Sequence, residues 1–157
     1  MYVKVRGYRG QGLGSPIIKW FTRSEFSHVS LVFDTGGGRV EEVEAIQRKG
    51  VIAHPPHTEG KMSFVEYEVP LNFEQIMEAH ELALSLVGAR YDWKAIRSFV
   101  AHRKKHSLDK WQCAELASYV LWKVAYPLSR RKPFMENPAS VLQSLQLLEA
   151  VSEEGAA

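Results

Sequence analysis

The stretch FSHVSLVFDTGGGRVEEVEAI, residues 26 to 46, decides how the chain is read. Its first part, Phe26 to Phe33, alternates. Val29, Leu31 and Phe33 fall on one side of an extended strand, and Phe26, His28 and Ser30 fall on the other. Asp34 to Arg39 contains three consecutive glycines and reads as a turn. The return strand, Val40 to Ile46, puts Val43 and Ala45 on one face and Glu42 and Glu44 on the opposite one. Folding the hairpin about Gly36 sets Val29 against Val43 and His28 against Glu44. The apolar faces then coincide, whereas a one-residue slip would drive carboxylates into the core. Opposed Cβ atoms stand about 4.5–5.5 Å apart, which lets the Glu44 carboxylate reach the His28 imidazole. Taken alone, such a pair is an ordinary cross-strand contact at a surface.

Outward from the hairpin, Tyr2 to Arg6, Val51 to Ala53 and Phe64 to Val69 read as further strands. Gly7 to Gly14 is a glycine-rich loop. Ser15 and Pro16 start a short helix over Ile17 to Thr22. The second half is helical. Asn72 and Gln75 form a capping box, and Gly88 is the stop. Between them Ile76, Met77, Ala83, Leu84 and Val87 follow helical spacing. Trp93 to Ala101 is a second helix. Asp109 to Tyr126 is the strongest, with Asp109 and Gln112 as its capping box. Asn137-Pro138 opens the last helix, with Val141, Leu142, Leu145 and Leu148 as its apolar positions. Strands first and helices later predict an α+β fold, and no repeat or linker divides residues 1–157 into two domains.

The composition agrees with a globular chain. Of 157 residues, 45% are hydrophobic and 24% charged, enough for a core and against low-complexity disorder. The formal charge of +2 argues against nucleic-acid binding through bulk charge. Met1 to Arg9 lacks the apolar run of a signal peptide, and no stretch approaches the roughly 18 apolar residues of a membrane span. The expectation is a soluble, cytoplasmic protein, with export by a phage or secretion route still compatible with the sequence.

Cys113 is the one cysteine, so it builds neither an internal disulfide nor a cysteine-based zinc site. With Asp109 as the cap, it lies at the edge of a first helical turn. Free N–H groups and the positive dipole end favour a thiolate there and suit an oxyanion. The plain alternative is a small apolar residue that extends the helix face of Leu116, Val120 and Leu121. The combination favours the first reading. A nucleophilic cysteine needs a base, and an imidazole base needs an orienting partner. His28 with Glu44 supplies both. His54, His57, His80, His102 and His106 fall in predicted loops or on a helix, without such a partner.

The ordered set FTRSEFSHVSLVF, EEVEA followed by GV, GARYDW, WQCAELASYVL and NPASVL resembles a known family. It is similar to the circularly permuted NlpC/P60 group of papain-like cysteine hydrolases, the YiiX/YebB-like branch, over about Gly7 to Leu142. The resemblance implies a helix carrying Cys113 packed on an antiparallel sheet carrying His28. It implies Cys113 as nucleophile, His28 as base and Glu44 as third polar residue. Tyr91, with Gln112 and Trp111 beside the cysteine, becomes the candidate oxyanion and substrate-binding set. Ala114 departs from the serine usual after the cysteine, a change expected to alter local hydrogen bonding only. The implied activity is cleavage of amide bonds in peptides through an acyl-enzyme. Acyl transfer or ester cleavage on lipids is the first alternative, and a non-catalytic binding or structural module is the second.

Weaker signals add little. The loop from Gly7 to Gly14 fits neither common phosphate-binding motif, because Ser15 stands where a last glycine belongs, and it reads as a wall of the cleft. His54-Pro55-Pro56-His57 has metal-like spacing without a third ligand. No metal and no cofactor are therefore expected. The basic runs His102–His106 and Arg130–Lys132 read as solvated loops, or as local patches for an anionic surface. Trp20, Phe21, Trp93 and Trp111 read mostly as core, with Trp93 and Trp111 flanking the proposed site.

Overall fold

The structure is a computed structural model that describes residues 1–9, 25–58, 63–92 and 109–155, with side chains to residue 149. The expected helices over Ile17–Thr22 and Trp93–Ala101, the glycines from Gly10 to Gly14 and the run His102–His106 lie outside the described residues.

The first half builds five strands: β1 (Tyr2–Tyr8), β2 (His28–Asp34), β3 (Val40–Ile46), β4 (Gly50–His54) and β5 (Phe64–Val69). They form one antiparallel sheet in the order β4-β3-β2-β1-β5. Then come α1 (Phe73–Ser85), β6 (Arg90–Tyr91), β7 (Lys110–Trp111), α2 (Cys113–Lys123), a 3-10 turn (Pro133–Met135) and α3 (Pro138–Gly155). The architecture is α+β, as the pattern predicts.

The sheet has two unlike faces. Val3, Val5, Val29, Leu31, Phe33, Val43, Ala45 and Val51 point to one side and are almost fully buried. They form the core with Ala114, Leu116, Ala117, Val120 and Leu121 of α2 and with Val141, Leu142 and Leu145 of α3. Hydrophobic burial is the main force holding helices to this face. Gly7 belongs to β1, not to a loop. A Cβ there would stand 2.3 Å from Leu142 Cδ1, so glycine is what lets α3 approach the sheet.

The opposite face is polar, yet much of it is buried. Arg6 is 6% exposed and Glu42 is 0% exposed. Arg6 forks to Glu66 (3.0 and 2.7 Å) and reaches Glu42 Oε2 at 3.1 Å. The Tyr8 hydroxyl and Ser30 Oγ donate to Glu42 Oε1, the latter at 2.5 Å. The His57 backbone N–H donates to Glu42 Oε2 at 3.0 Å. Both oxygens of this buried carboxylate are therefore occupied, which is the condition for burying a charge without large loss. Burial, then the bond to Glu42, pushes the Tyr8 phenol above the ordinary phenol range, so it keeps the proton it donates.

The hairpin register differs from the expected one. Leu31 pairs with Val43 and Val32 with Glu42, so the turn pivots about Gly37 rather than Gly36. Gly36, Gly37 and Gly38 all have positive φ (84, 76 and 79°), and the Asp34 carboxylate caps the Gly36 N–H at 2.9 Å. Three glycines allow either pivot. The shift is two residues, which preserves the faces. Val29 is thus not opposite Val43, and His28 is diagonal to Glu44 rather than directly opposed.

The helix starts are mixed. The Asn72–Gln75 capping box forms as expected, with bonds of 2.9 and 3.1 Å. On α1 the buried positions are Ile76, Ala79 and Ala83, while Met77 and Leu84, and Val87 just beyond its end, are exposed. Asn137 caps α3 by accepting from the Ser140 N–H at 3.0 Å. On α3 Leu148 is 41% exposed, unlike Val141, Leu142 and Leu145. Asp109 does not cap α2. Lys110 and Trp111 are drawn into a parallel pairing with Arg90 and Tyr91, and the helix begins only at Cys113, with Gln112 as cap.

Candidate functional site

Cys113 occupies the first position of α2, three positions closer to the N-terminal end than a cap at Asp109 would place it. The residue is 3% exposed, and its thiol lies near the His28 side chain and the backbone N–H groups of Val29 and Ala114. Its Sγ donates to Gln112 Oε1 at 4.0 Å. Burial by itself would raise the thiol pKa. The His28 charge and hydrogen bond, with the two N–H donors, outweigh it and hold the thiol below its ordinary value.

His28 opens β2, and its side chain is 22% exposed. Its Nε2 bonds Glu44 Oε2. Burial disfavours the imidazolium, but the charges and bonds of Cys113 and then Glu44 raise its pKa to about 10. Glu44 sits on β3, 2% exposed. Burial alone would raise its carboxyl, but the His28 bond and charge, then those of His54, lower it to about 2. The three groups thus stabilise one another as thiolate, imidazolium and carboxylate.

The remaining candidates are arranged around this chain of bonds. Tyr91, 8% exposed, bonds the Gln47 side chain and lies close enough to Cys113 to feel its charge. Burial and that charge raise its phenol above the ordinary range. Tyr91 is held there by an unusual approach of two backbones. Val51 N–H donates to Ala89 O at 2.9 Å, and Gly88 N–H donates to Val51 O at 2.9 Å. A Cβ at Gly50 would sit 2.2 Å from that same Ala89 oxygen, at a φ of 80°.

Gln112 is 2% exposed. Its Oε1 accepts from the Ala114 N–H at 3.2 Å, and its Nε2 donates to Glu136 O at 2.7 Å. Both ends of the amide are engaged in fixing the start of α2, so Gln112 positions Cys113. Trp111 is 0% exposed and packs against Tyr119 with the rings tilted by 51° and their centroids 4.8 Å apart. It underlies the site and presents no surface to a ligand, a correction to its expected place in a binding cleft. Ala114 is likewise fully buried in the core.

The sequence pattern leaves two histidines without the partner they have in the fold. His54, at the end of β4, stands 2.7 Å from Glu44 Oε1 through its Nε2. His57 Nε2 lies 3.6 Å from the same oxygen. Glu42, His54 and His57 each offer a ligand atom within 4.8 Å of the others. The spacing of the two histidines is the visible signal, and the carboxylates that complete the group come from β3. The pairing of Glu42 with His54 brings them together. The basic residues Arg130, Arg131 and Lys132 are exposed, as expected for a solvated loop. No helix among the described residues is long and apolar enough to cross a membrane.

No family model matches the chain, and no curated protein matches it. The fold is similar to the solved structure of metalloprotein yiiX from Escherichia coli O157:H7, DUF1105, with a TM-score of 0.63. The likeness covers 79% of this chain at 21% identity, so it concerns the fold. This chain spans 66% of the length of that one.

Proposed function

We propose that this chain is a thiol-dependent hydrolase that cleaves acyl bonds through Cys113, as its resemblance to permuted NlpC/P60 enzymes implies. One observation carries the reading: Cys113 at a helix start lies beside His28, which bonds Glu44. Nucleophile, base and orienting carboxylate side by side are what acyl transfer needs. Few structural roles require that order of groups around a single thiol.

In this reading the Cys113 thiolate attacks a carbonyl carbon. A C–S bond forms, and the carbonyl electron pair moves to oxygen. The N–H groups at the start of α2 stabilise that oxyanion, with the Tyr91 hydroxyl nearby. On collapse the leaving amine takes the proton held by His28. Water then attacks the thioester, His28 takes its proton, and the acid product leaves with the thiolate restored. Glu44 holds the imidazole and its charge throughout.

A peptide amide is the substrate class assigned to this chemistry, with a lipid acyl ester as the alternative. The open cavity of about 240 Å³ beside Tyr91, lined by Arg48, Lys49, Gly50, Gly88, Ala89 and Arg90, does not include Cys113 or His28. The test is intact-mass analysis after exposure to iodoacetamide and to an acyl-ester mixture. The expected result is alkylation of Cys113 at acid pH and a trapped acyl adduct that disappears in Cys113→Ala. Alkylation that follows the ordinary free thiol, with a pKa of about 8.5, would overturn it.

A further inference from the structure

The proposed chemistry accounts for one oxygen of Glu44, the Oε2 that bonds His28. The other oxygen is held by a residue that the chemistry leaves unused. His54 Nε2 lies 2.7 Å from Glu44 Oε1, and His54 Nδ1 lies 2.7 Å from the Pro55 carbonyl oxygen. Both ring nitrogens thus face acceptors. The ring satisfies both only when each nitrogen carries hydrogen, which makes His54 a double donor between the loop backbone and the carboxylate. A bond from a charged donor to a carboxylate is stronger than a neutral one.

The surroundings hold His54 in that place. It ends β4 and pairs with Glu42, so it reaches Glu44 along the diagonal of the β3–β4 ladder. Pro55 and Pro56 follow it, each with a φ fixed by its ring. Next in the chain, the His57 N–H donates to Glu42 at 3.0 Å and the His57 carbonyl accepts from Arg6 at 3.0 Å. The loop is tied to the buried Arg6–Glu42 pair, and the Pro55 carbonyl that sets the His54 ring is fixed with it. His57 Nε2 stands 3.6 Å from Glu44 Oε1, beyond hydrogen-bond reach, so among the described residues His54 alone bonds that oxygen. Glu44 is 2% exposed, which leaves little water to replace the donor.

We propose that His54 is a positioning residue for the thiol chemistry: it pins Glu44 Oε1 so that Oε2 stays on His28, and through His28 it keeps Cys113 reactive. The inference rests on that chemistry and adds a fourth residue, from β4, to Cys113, His28 and Glu44. A carboxylate turns about its last side-chain bond. Without the His54 donor one oxygen is buried and unpaired, and the group turns toward other donors, with His57 close by. The bond to His28 then loosens, the imidazolium is less favoured, and less of the Cys113 thiol is ionised at a given pH. The positive charge of His54 acts in the opposite sense, because it competes with His28 for the carboxylate. Bond and charge are separable: a glutamine amide supplies an N–H donor in place of Nε2 and carries no charge.

The test follows alkylation of Cys113 by iodoacetamide across pH, read by intact mass on the full chain. His54→Leu should slow alkylation about tenfold below the ordinary thiol range and move the profile about one pH unit toward alkaline, the scale of one charge-assisted hydrogen bond. His54→Phe keeps a ring without donors and should match it, which guards against one variant failing to fold. His54→Gln should stay within about twofold of wild type. In a Glu44→Gln background, His54→Leu should add no further slowing, because it acts through the carboxylate. Circular dichroism and urea unfolding check each variant, and lost stability alone does not move the profile of the folded fraction. Slowing by Gln equal to that by Leu would overturn the role of the hydrogen bond. Undiminished slowing by His54→Leu in Glu44→Gln would overturn the route through Glu44. A low wild-type profile left unchanged in both Leu and Phe variants would overturn the positioning role alone. A wild-type thiol that follows the ordinary value of about 8.5 would overturn the hydrolase reading and this role with it.

Discussion

Glu42 and Glu44 are two residues apart on one strand, on one face of one sheet, and they do different work. Glu42 is fully buried, with Arg6, Tyr8, Ser30 and the His57 N–H all directed at it. Every donor is fixed, and nothing there can exchange a proton with a ligand. Glu44 is nearly as buried, but its partners are the imidazoles of His28, His54 and His57 toward the rim of the sheet. Imidazoles gain and lose protons and ligate ions, and guanidinium does neither. The same carboxylate is a structural anchor in one setting and a reactive partner in the other. The difference is set by which residues β1 and β4 bring alongside.

The contrast can be broken most severely at Cys113. In the proposed chemistry Cys113→Ala abolishes turnover, measured as release of product from any substrate that gives an acyl adduct. Persistence of full activity would end the thiol mechanism. The next effect in size belongs to Glu44. Glu44→Gln is expected to lower turnover by about 10²–10⁴-fold, because a misoriented imidazole loses most of its value as a base. Its far-UV circular dichroism should stay that of wild type. Glu42→Gln is expected to show the reverse balance, with stability reduced and the Cys113 alkylation rate in the folded fraction preserved.

Arg6→Met probes the anchor from its other side. It leaves the Glu42 carboxylate buried without its cation, at a cost of about 3–5 kcal/mol in urea unfolding. A loss below about 1 kcal/mol would show that Tyr8 and Ser30 suffice to hold Glu42. A smaller effect is expected from pH. The Cys113 thiol is held below its ordinary value chiefly by His28, so its charged form stabilises the folded state above the unfolded value, and that contribution is lost as pH falls through the folded one. Alkylation should therefore persist below the range where a free thiol stops reacting, and Glu44→Gln should shift the profile back toward that range. Smallest is Gly7→Ala, far from both carboxylates. Its added methyl meets Leu142, and about 1–3 kcal/mol of overpacking is expected, with alkylation unchanged.

Much of this contrast is legible in the sequence, for a definite reason. Strand alternation has period two, so the parity of Val29, Leu31, Val43 and Glu44 settles which residues share a face. The register has no such protection. Three glycines in a row accept either pivot, and the pattern that selects faces is blind to a slip of two. The start of α2 escapes for another reason. Asp109 and Gln112 make an acceptable capping box locally, but pairing with Arg90 and Tyr91, some 20 residues away, takes Lys110 and Trp111 out of the helix. The hydrogen bonds of a strand compete there with those of a helical turn, and long-range pairing wins. His54 and His57 are visible as a spaced pair. Their third partner is not, because it arrives across the β3–β4 ladder.

The sequence by itself determined the α+β order, the two faces of the hairpin and a lone cysteine near a helix start. These follow from periodicity, which acts over a few residues. Only the tertiary structure decided that Cys113 is the first residue of its helix, that Gln112 and Trp111 support the site from beneath, and that Glu42 is an anchor. It also decided that Glu44 stands between His28 and the pair His54 and His57. Such facts depend on which strands are neighbours and how deeply each group is buried. Burial, by removing water as the competing partner, is what turns identical carboxylates into different chemical groups.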